Sequence, residues 1–206
     1  MTETLILHEY ALSGNCYKIR LTAAHVGATL QRREYDILQG ETRTADFLGT
    51  VNANGRIPVL QIGDRFLPES NAACFWLADS SPLIPVDRFD RADMLRWMNW
   101  EQYNHEPNVA TMRFLRAFLF EENWSPEQRA SVPMRTRNGD AALALMDDHL
   151  ATRQWFVGKT PTVADLCLYP YTSTAGEGAF DLTRYPHVSR WLDDVAALPG
   201  HVTIIA

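Results

Sequence analysis

Hydrophobic and polar residues follow two different periodicities in the first part of the chain, residues 1–80. Short apolar or alternating runs, typical of β-strands, are separated by runs with apolar residues at helical spacing. The strand-like runs are 4–10, 30–37 and the two arms of 57–70, and the helical runs are 14–27, 42–51 and 70–80. Gly63 and Asp64 separate the two arms, which predicts a hairpin. This order predicts a small mixed sheet with helices packed on it.

Strand patterns disappear after the Ser- and Pro-rich stretch 80–85. A long helical pattern covers 87–120, and Pro107 is expected to kink it near Tyr103. We therefore predict an α/β domain over 1–80, a linker over 81–87 and an all-helical domain over 88–206.

Helix-capping signals mark the later helices. "SPEQ" at 125–128 and "TVAD" at 162–165 have the spacing of capping boxes, and 185–200 is a final amphipathic helix. Asp165 is read as a folding cap, without a catalytic role. Pro170 lies inside the helix that begins at Thr162, so that helix is expected to bend there or to end early.

Composition narrows the classes of function. The chain has 206 residues, 46% hydrophobic and 21% charged, with a formal net charge of −6. These values are typical of a globular protein and argue against a nucleic-acid surface, which needs a basic patch. No apolar stretch approaches the roughly 20 residues that cross a membrane, and the N-terminus lacks a signal-peptide pattern. Three widely spaced cysteines predict neither disulfides nor a metal site, and hence a cytoplasmic location.

Polar side chains are concentrated where the first strand turns into the first helix. Ser13, Asn15 and Cys16 lie at this corner, around Gly14. Unpaired amides and the dipole at a helix N-terminus favour negative charge, so the corner can stabilise a thiolate. The alternative is that Ser13 or Asn15 only caps the helix.

Two further motifs offer contacts for a small peptide. A cis bond between Ile57 and Pro58 would turn the Ile57 N–H and C=O outward, where an extended peptide could pair with them. The alternative is a proline that simply opens a strand. Glu69 and Ser70 precede a helix and offer a carboxylate, a hydroxyl and an amide, which suit the charged groups of an amino acid. They could also form only an N-cap.

In their order and spacing these motifs, together with "TVADL", resemble the glutathione transferase superfamily over essentially the whole chain. The resemblance implies a thioredoxin-like α/β N-terminal domain followed by an all-α C-terminal domain, with glutathione as co-substrate and no metal. It also implies that Pro58 is cis and that Ile57 pairs with the cysteinyl part of glutathione. Glu69 and Ser70 are then expected to bind the γ-glutamyl end, and Arg56 to approach the glycyl carboxylate.

The resemblance assigns activation of the thiol to Ser13 or Asn15 and leaves both open. A serine at this corner bonds the glutathione sulfur in theta- and delta-like members. A bacterial group resembling disulfide-bond reductases has Thr-Pro-Asn there, which gives both residues counterparts. Cys16 is assigned to packing. A hydroxyl and a helix N-terminus would stabilise the thiolate of glutathione, whose free pKa is roughly 8.5.

The second substrate is expected between the corner and the long helix that follows the linker. The candidate pocket residues are Tyr10, Leu12, Tyr103, His105, Met112 and Phe114. The alternative is that Met112, with Trp97 and Trp100 at helical spacing, belongs to the core between helices.

The predicted function is conjugation of the glutathione thiolate to small hydrophobic electrophiles, a detoxification reaction, by a homodimer. One alternative is a glutathione-dependent disulfide reductase or peroxidase built on the same corner. If such an enzyme used a protein thiol, Cys16→Ser would inactivate it. A second alternative is a non-catalytic binding module that keeps the fold.

Overall fold

The structure is a computed structural model that describes residues 4–206. It divides into two units: one runs up to Ile84 and includes Pro199–Ala206, and the other is Pro85–Leu198. The first unit is α/β and the second is helical, as the periodicities predict. The sequence-based division assigned 199–206 to the helical domain, whereas this segment packs within the first unit because polar side chains of α1 (Gly14–Val26) bind its backbone.

The first unit is built on a sheet of four strands in the order β2-β1-β3-β4. The strands are β1 (Leu5–Glu9), β2 (Gln31–Glu34), β3 (Val59–Ile62) and β4 (Arg65–Pro68). β1 is parallel to β2 and antiparallel to β3, and β3 and β4 form the predicted hairpin. The helices are α1, α2 (Ala45–Thr50) and α3 (Ser70–Ala78), and α1 and α3 pack against each other.

Strand register brings three chain segments to one end of the sheet. His8 near the end of β1 pairs with Val59 at the start of β3, and Val59 pairs with Pro68 at the end of β4. Antiparallel neighbours run in opposite directions, so the end of one strand lies beside the start of the next. The residues after β1, before β3 and after β4 therefore lie at the same end of the sheet. These residues are the corner, Ile57–Pro58 and Glu69–Ser70.

The helical unit contains five α-helices in the described chain. They are α4 (Arg88–Trp100), α5 (Glu106–Arg113), α6 (Pro126–Leu150), α7 (Val163–Ser173) and α8 (Pro186–Ala196). A π-helical turn, Glu101–His105, joins α4 to α5 and lies where the kink was predicted. The capping box at the start of α6 is present, with the Ser125 hydroxyl accepting from the Gln128 amide at 3.2 Å. In the described residues, no helix is both long and apolar enough to cross a membrane.

Proline does not end α7 early. The helix continues for three residues beyond Pro170, so the early end that was one of two sequence-based alternatives is wrong. Hydroxyl groups satisfy carbonyl groups around the proline: Thr172 donates to the Leu168 oxygen at 2.7 Å and Thr174 to the Pro170 oxygen at 2.9 Å. A buried helix whose side chains pack on all sides keeps its path when one backbone hydrogen bond is missing.

The buried Asp165 carboxylate accepts four hydrogen bonds within the helical unit. It accepts hydrogen bonds from the Thr162 amide at 2.8 Å and the Thr162 hydroxyl at 3.1 Å. The Phe156 amide donates to it at 3.1 Å and the Trp191 indole at 3.0 Å. Burial raises the pKa of Asp165, and these donors oppose that rise. The residue therefore joins the start of α7 to the preceding loop and to α8, which confirms its reading as a folding cap.

Candidate functional site

Ser13 caps the first helix and keeps a proton to donate. Its amide closes a turn by donating to the Tyr10 oxygen at 2.9 Å, and its hydroxyl oxygen accepts from the Cys16 amide at 3.4 Å. The capping interpretation of Ser13 is therefore correct. It does not exclude chemistry, because a hydroxyl that accepts one hydrogen bond still has its own O–H to donate.

Asn15 joins the corner to the start of α3. The Ser70 hydroxyl donates to the Asn15 carboxamide oxygen at 3.0 Å, across 55 positions of sequence. Ser70 is buried, and this is the one hydrogen bond of its side chain within the described residues. This hydrogen bond thus connects the corner to the Glu69–Ser70 motif at one end of the sheet.

Glu69 has an unusual backbone. Its φ of 72° and ψ of 109° place it in a region that residues other than glycine rarely adopt. Such conformations cost about 1–3 kcal/mol and are concentrated at functional sites. The side chain is exposed, and among residues 4–206 nothing hydrogen-bonds to its carboxylate. The carboxylate is therefore available to a ligand.

The Ile57–Pro58 peptide bond is cis, and it directly precedes β3. Within the described chain, no protein group pairs with the Ile57 N–H or C=O. The Arg56 carbonyl accepts from the Asn52 side chain at 2.9 Å, while the Arg56 side chain is exposed. The structure thus provides, at the same end of the sheet, an unpaired backbone N–H and C=O at Ile57 and a cationic side chain on the preceding residue.

Comparison with known proteins identifies the family of the chain. The family model of the glutathione S-transferase N-terminal domain matches residues 3–79, and that of the C-terminal domain matches 109–199. The crystal structure of a glutathione S-transferase from Pseudomonas fluorescens Pf-5 is 37% identical, with a TM-score of 0.92 over 98% of this chain and 99% of that one. The chain belongs to the glutathione S-transferase family.

Curated relatives of this glutathione S-transferase family member carry more than one name. The Escherichia coli K12 protein named glutathione S-transferase GstB is 28% identical over 199 residues, which cover 91% of each chain. A Rhizobium meliloti protein named maleylacetoacetate isomerase is 27% identical over 189 residues, covering 90% of this chain and 88% of that one. Family membership therefore does not by itself name the reaction.

Cys16 is buried beneath the corner of the transferase domain. Its side chain has no exposed surface, and its sulfur lies 3.5 Å from the Tyr10 amide. Burial raises the pKa of Cys16 to about 12, although the Tyr10 amide and the Ser13 hydroxyl favour the thiolate. A neutral, inaccessible thiol is a poor nucleophile, which supports its assignment to packing.

We expect Cys16→Ala to leave any glutathione-dependent activity of the protein unchanged, because the residue is neither ionised nor exposed. Cys74→Ala, which removes another fully buried thiol, is the matched control for the cost of truncating a packed side chain. Steady-state kinetics of both variants tests this. Loss of activity with Cys16→Ala alone, in a folded protein, would restore the protein-thiol mechanism.

The candidate pocket residues differ in exposure within their own units. Tyr103 is 84% exposed, and Phe114 is partly exposed on the π-helical turn Phe114–Phe118. His105 and Met112 have 0% and 1% exposure, so neither presents a side chain to a ligand, and we do not assign them to the pocket. At helical spacing they belong to the core, the alternative that the sequence had left open for Met112. Tyr10 and Leu12 lie on the corner turn of the first unit, where Tyr10 is partly exposed and Leu12 is exposed.

A hydrogen bond within the helical unit explains the burial of His105. Its Nε2 lies 3.1 Å from the Thr172 hydroxyl oxygen. Since the Thr172 proton is donated to the Leu168 oxygen, Nε2 carries the proton and donates to Thr172. The imidazole thus bridges the π-helical turn to α7.

Two basic residues of α1 were not singled out from the sequence. Lys18 is fully buried and donates to the Asn71 carboxamide oxygen at 3.3 Å, one residue after Ser70. Arg20 is also buried, beside the corner turn. The sequence offers little indication that Lys18 and Arg20 are buried, since charged residues on a helix are usually solvated. Only their position in a helix that is buried along most of its length distinguishes them.

Proposed function

We propose that this protein activates the thiol of glutathione at the corner of its first unit and transfers the thiolate to small hydrophobic electrophiles. The observation that carries the proposal is the hydrogen bond between Ser70 and Asn15, which unites the corner with the Glu69–Ser70 motif. A tripeptide that pairs with the Ile57 backbone at the same end of the sheet would then extend from the Glu69–Ser70 motif toward the corner. These groups were expected to act together because of the family resemblance.

Each part of glutathione has a proposed partner. The Ile57 N–H and C=O pair with the cysteinyl residue in the manner of an added strand. The Ser70 N–H donates to the γ-glutamyl carboxylate. The Ser70 hydroxyl oxygen, whose own proton is donated to Asn15, and the Glu69 carboxylate accept from the γ-glutamyl ammonium, and Arg56 attracts the glycyl carboxylate. Binding at several points orients the sulfur, which contributes to rate by reducing the entropy lost in the reaction.

In the proposed mechanism, Ser13 donates its hydroxyl proton in a hydrogen bond to the glutathione sulfur. The thiol proton leaves to solvent, and the thiolate is stabilised by this bond and by the amides at the start of α1. The sulfur lone pair then forms a bond to the electrophilic carbon, whose leaving group departs with its bonding electrons. Asn15 acts on the same site by holding Ser70, whose hydroxyl donates to the Asn15 carboxamide oxygen.

The decisive experiment is a pH titration of the ultraviolet thiolate absorbance of glutathione bound to the protein. We expect a pKa well below the free value of roughly 8.5. S-methylglutathione, which has no ionisable thiol, is the control for absorbance changes of the protein. Binding without a lowered pKa would contradict thiolate activation and would favour the binding module.

We expect Ser70→Ala and Glu69→Gln to weaken glutathione binding, each by about tenfold, because each removes one polar contact worth roughly 1–1.5 kcal/mol. Calorimetric titration measures the dissociation constants. Asp64→Asn, an exposed acid in the hairpin turn, is the matched control for loss of one negative charge. Unchanged binding in both variants would mean that the peptide does not occupy the proposed site.

The same site could serve isomerisation, in which the thiolate adds to a substrate and leaves again. The Rhizobium meliloti relative gives this candidate its support. Release of free glutathione without net consumption distinguishes isomerisation from conjugation. The homodimer, the cytoplasmic location and the disulfide reductase alternative stay predictions.

A further inference from the structure

Arg20 connects the corner turn to the last residues of the chain. Its guanidinium donates to the Ala11 oxygen at 2.6 Å, to the Ile204 oxygen at 2.8 Å and to the Ala206 main-chain oxygen at 3.1 Å. Its Nε lies 3.4 Å from a carboxylate oxygen of the fully buried Glu9. One side chain thus binds the end of β1, the turn Tyr10–Ser13 and the segment 201–206, which we call the tail.

Three hydrogen bonds hold the turn in place. The Ala11 amide donates to the Glu34 carboxylate at 2.7 Å, and the Ser13 amide closes the turn on Tyr10. The Ala11 carbonyl is held by Arg20. Ala11 is two residues before Ser13, so a shift of its peptide group would reorient the Ser13 hydroxyl.

Side chains of α1 and of β2 donate further hydrogen bonds to the tail. The Tyr17 hydroxyl donates to the Val202 oxygen at 2.6 Å, and Arg32 donates to the Ala206 main-chain oxygen at 2.7 Å. Arg32 also pairs with Glu9. The acceptors in the tail are main-chain oxygens, so these donors bind its backbone and none of its side chains.

We propose that Arg20 is a positioning residue that couples the tail to the turn and thereby sets how strongly Ser13 stabilises the thiolate. The last step rests on the proposed function, whereas the coupling of tail and turn does not. A guanidinium is suited to this task, because its planar fork binds several acceptors at once. A lysine would keep the charge opposite Glu9 but could not bind the three main-chain oxygens at once.

The test compares Arg20→Lys, a variant that ends at Thr203, and the two changes combined. We expect each single change to raise the pKa of the bound thiol by about one unit, equivalent to roughly tenfold less thiolate below that pKa. The combined variant should show no more than the larger single effect, because both changes break the same connection. Arg190→Lys is the matched control, since Arg190 also donates to two main-chain carbonyls, those of Leu150 and Arg153, in the helical unit.

Hydrogen exchange of the turn amides provides a readout that does not depend on glutathione. We expect faster exchange of the Ser13 amide in Arg20→Lys and in the shortened variant, and no change in Arg190→Lys. If Arg20→Lys does not fold, the shortened variant, which keeps Arg20 and Glu9, carries the test alone. Unchanged exchange and unchanged thiol pKa in the shortened variant would overturn the proposal, as would a wild-type pKa in Arg20→Lys.

The two proposals fail in distinguishable ways. If the wild-type protein binds glutathione without lowering its thiol pKa while the shortened variant exchanges faster at Ser13, the proposed function fails and the coupling stands. If the wild-type pKa is lowered but neither change moves it, the proposed function stands and Arg20 has only a structural role, which overturns its role as a positioning residue.

Discussion

Replacing Ser13 with alanine is expected to lower kcat/KM for conjugation by about 10²–10³-fold at neutral pH. This is the usual loss when one preorganised donor to a developing or stored anion is removed. The bound thiol pKa should rise toward its free value in the same variant, so activity should recover as pH increases. Glutathione affinity measured below the thiol pKa should change little, because Ser70, Glu69 and the Ile57 backbone remain.

Two variants sharpen this expectation. Ser13→Thr retains a hydroxyl and a helix cap, and should keep most of the activity. Asn15→Ala should act chiefly on KM, because the Asn15 carboxamide oxygen holds Ser70. The pH–rate profile of each variant is the measurement. If the pKa returns to its free value in Asn15→Ala and stays low in Ser13→Ala, then Asn15 is the donor and our assignment is reversed.

Replacing Asp165 with alanine is expected to reduce the free energy of unfolding by about 3–5 kcal/mol. The change removes the acceptor of three buried donors, which are the Thr162 amide, the Phe156 amide and the Trp191 indole N–H. Each unsatisfied buried donor costs roughly 1–3 kcal/mol. Because single domains are stable by only about 5–15 kcal/mol, the helical unit could unfold at physiological temperature. Urea unfolding followed by tryptophan fluorescence measures the loss.

Asp87→Ala is the matched control for Asp165. Asp87 caps α4 by accepting from the Phe89 and Asp90 amides at 2.8 and 2.9 Å, but it is exposed, so water can replace it. We expect it to cost about 1 kcal/mol, the usual value for an exposed N-cap. If both alanine variants lose the same free energy of unfolding, burial does not make the hydrogen bonds of Asp165 more important for stability than those of Asp87. If thiol activation changes in folded Asp165→Ala protein, our purely structural reading of this residue is wrong.

The sequence by itself determined the elements and their order. Hydrophobic periodicity indicated the mixed sheet and the helical second half, because the spacing of apolar residues follows directly from helix and strand geometry. Gly27 ends α1 with a φ of 70°, and Ser125 and Gln128 start α6, as local capping chemistry predicts. The π-helical turn Glu101–His105 lies where the sequence predicts a kink, since proline acts on its own neighbours.

Only the tertiary structure decided which of these residues meet and which are buried. The Ser70–Asn15 hydrogen bond joins positions 55 residues apart, and the docking of the tail on Arg20 spans more than 180. His105 and Met112 have the residue types of a pocket, yet packing places them in the core. Strand register and helix packing set these contacts through the whole fold, and local sequence spacing carries no information about them.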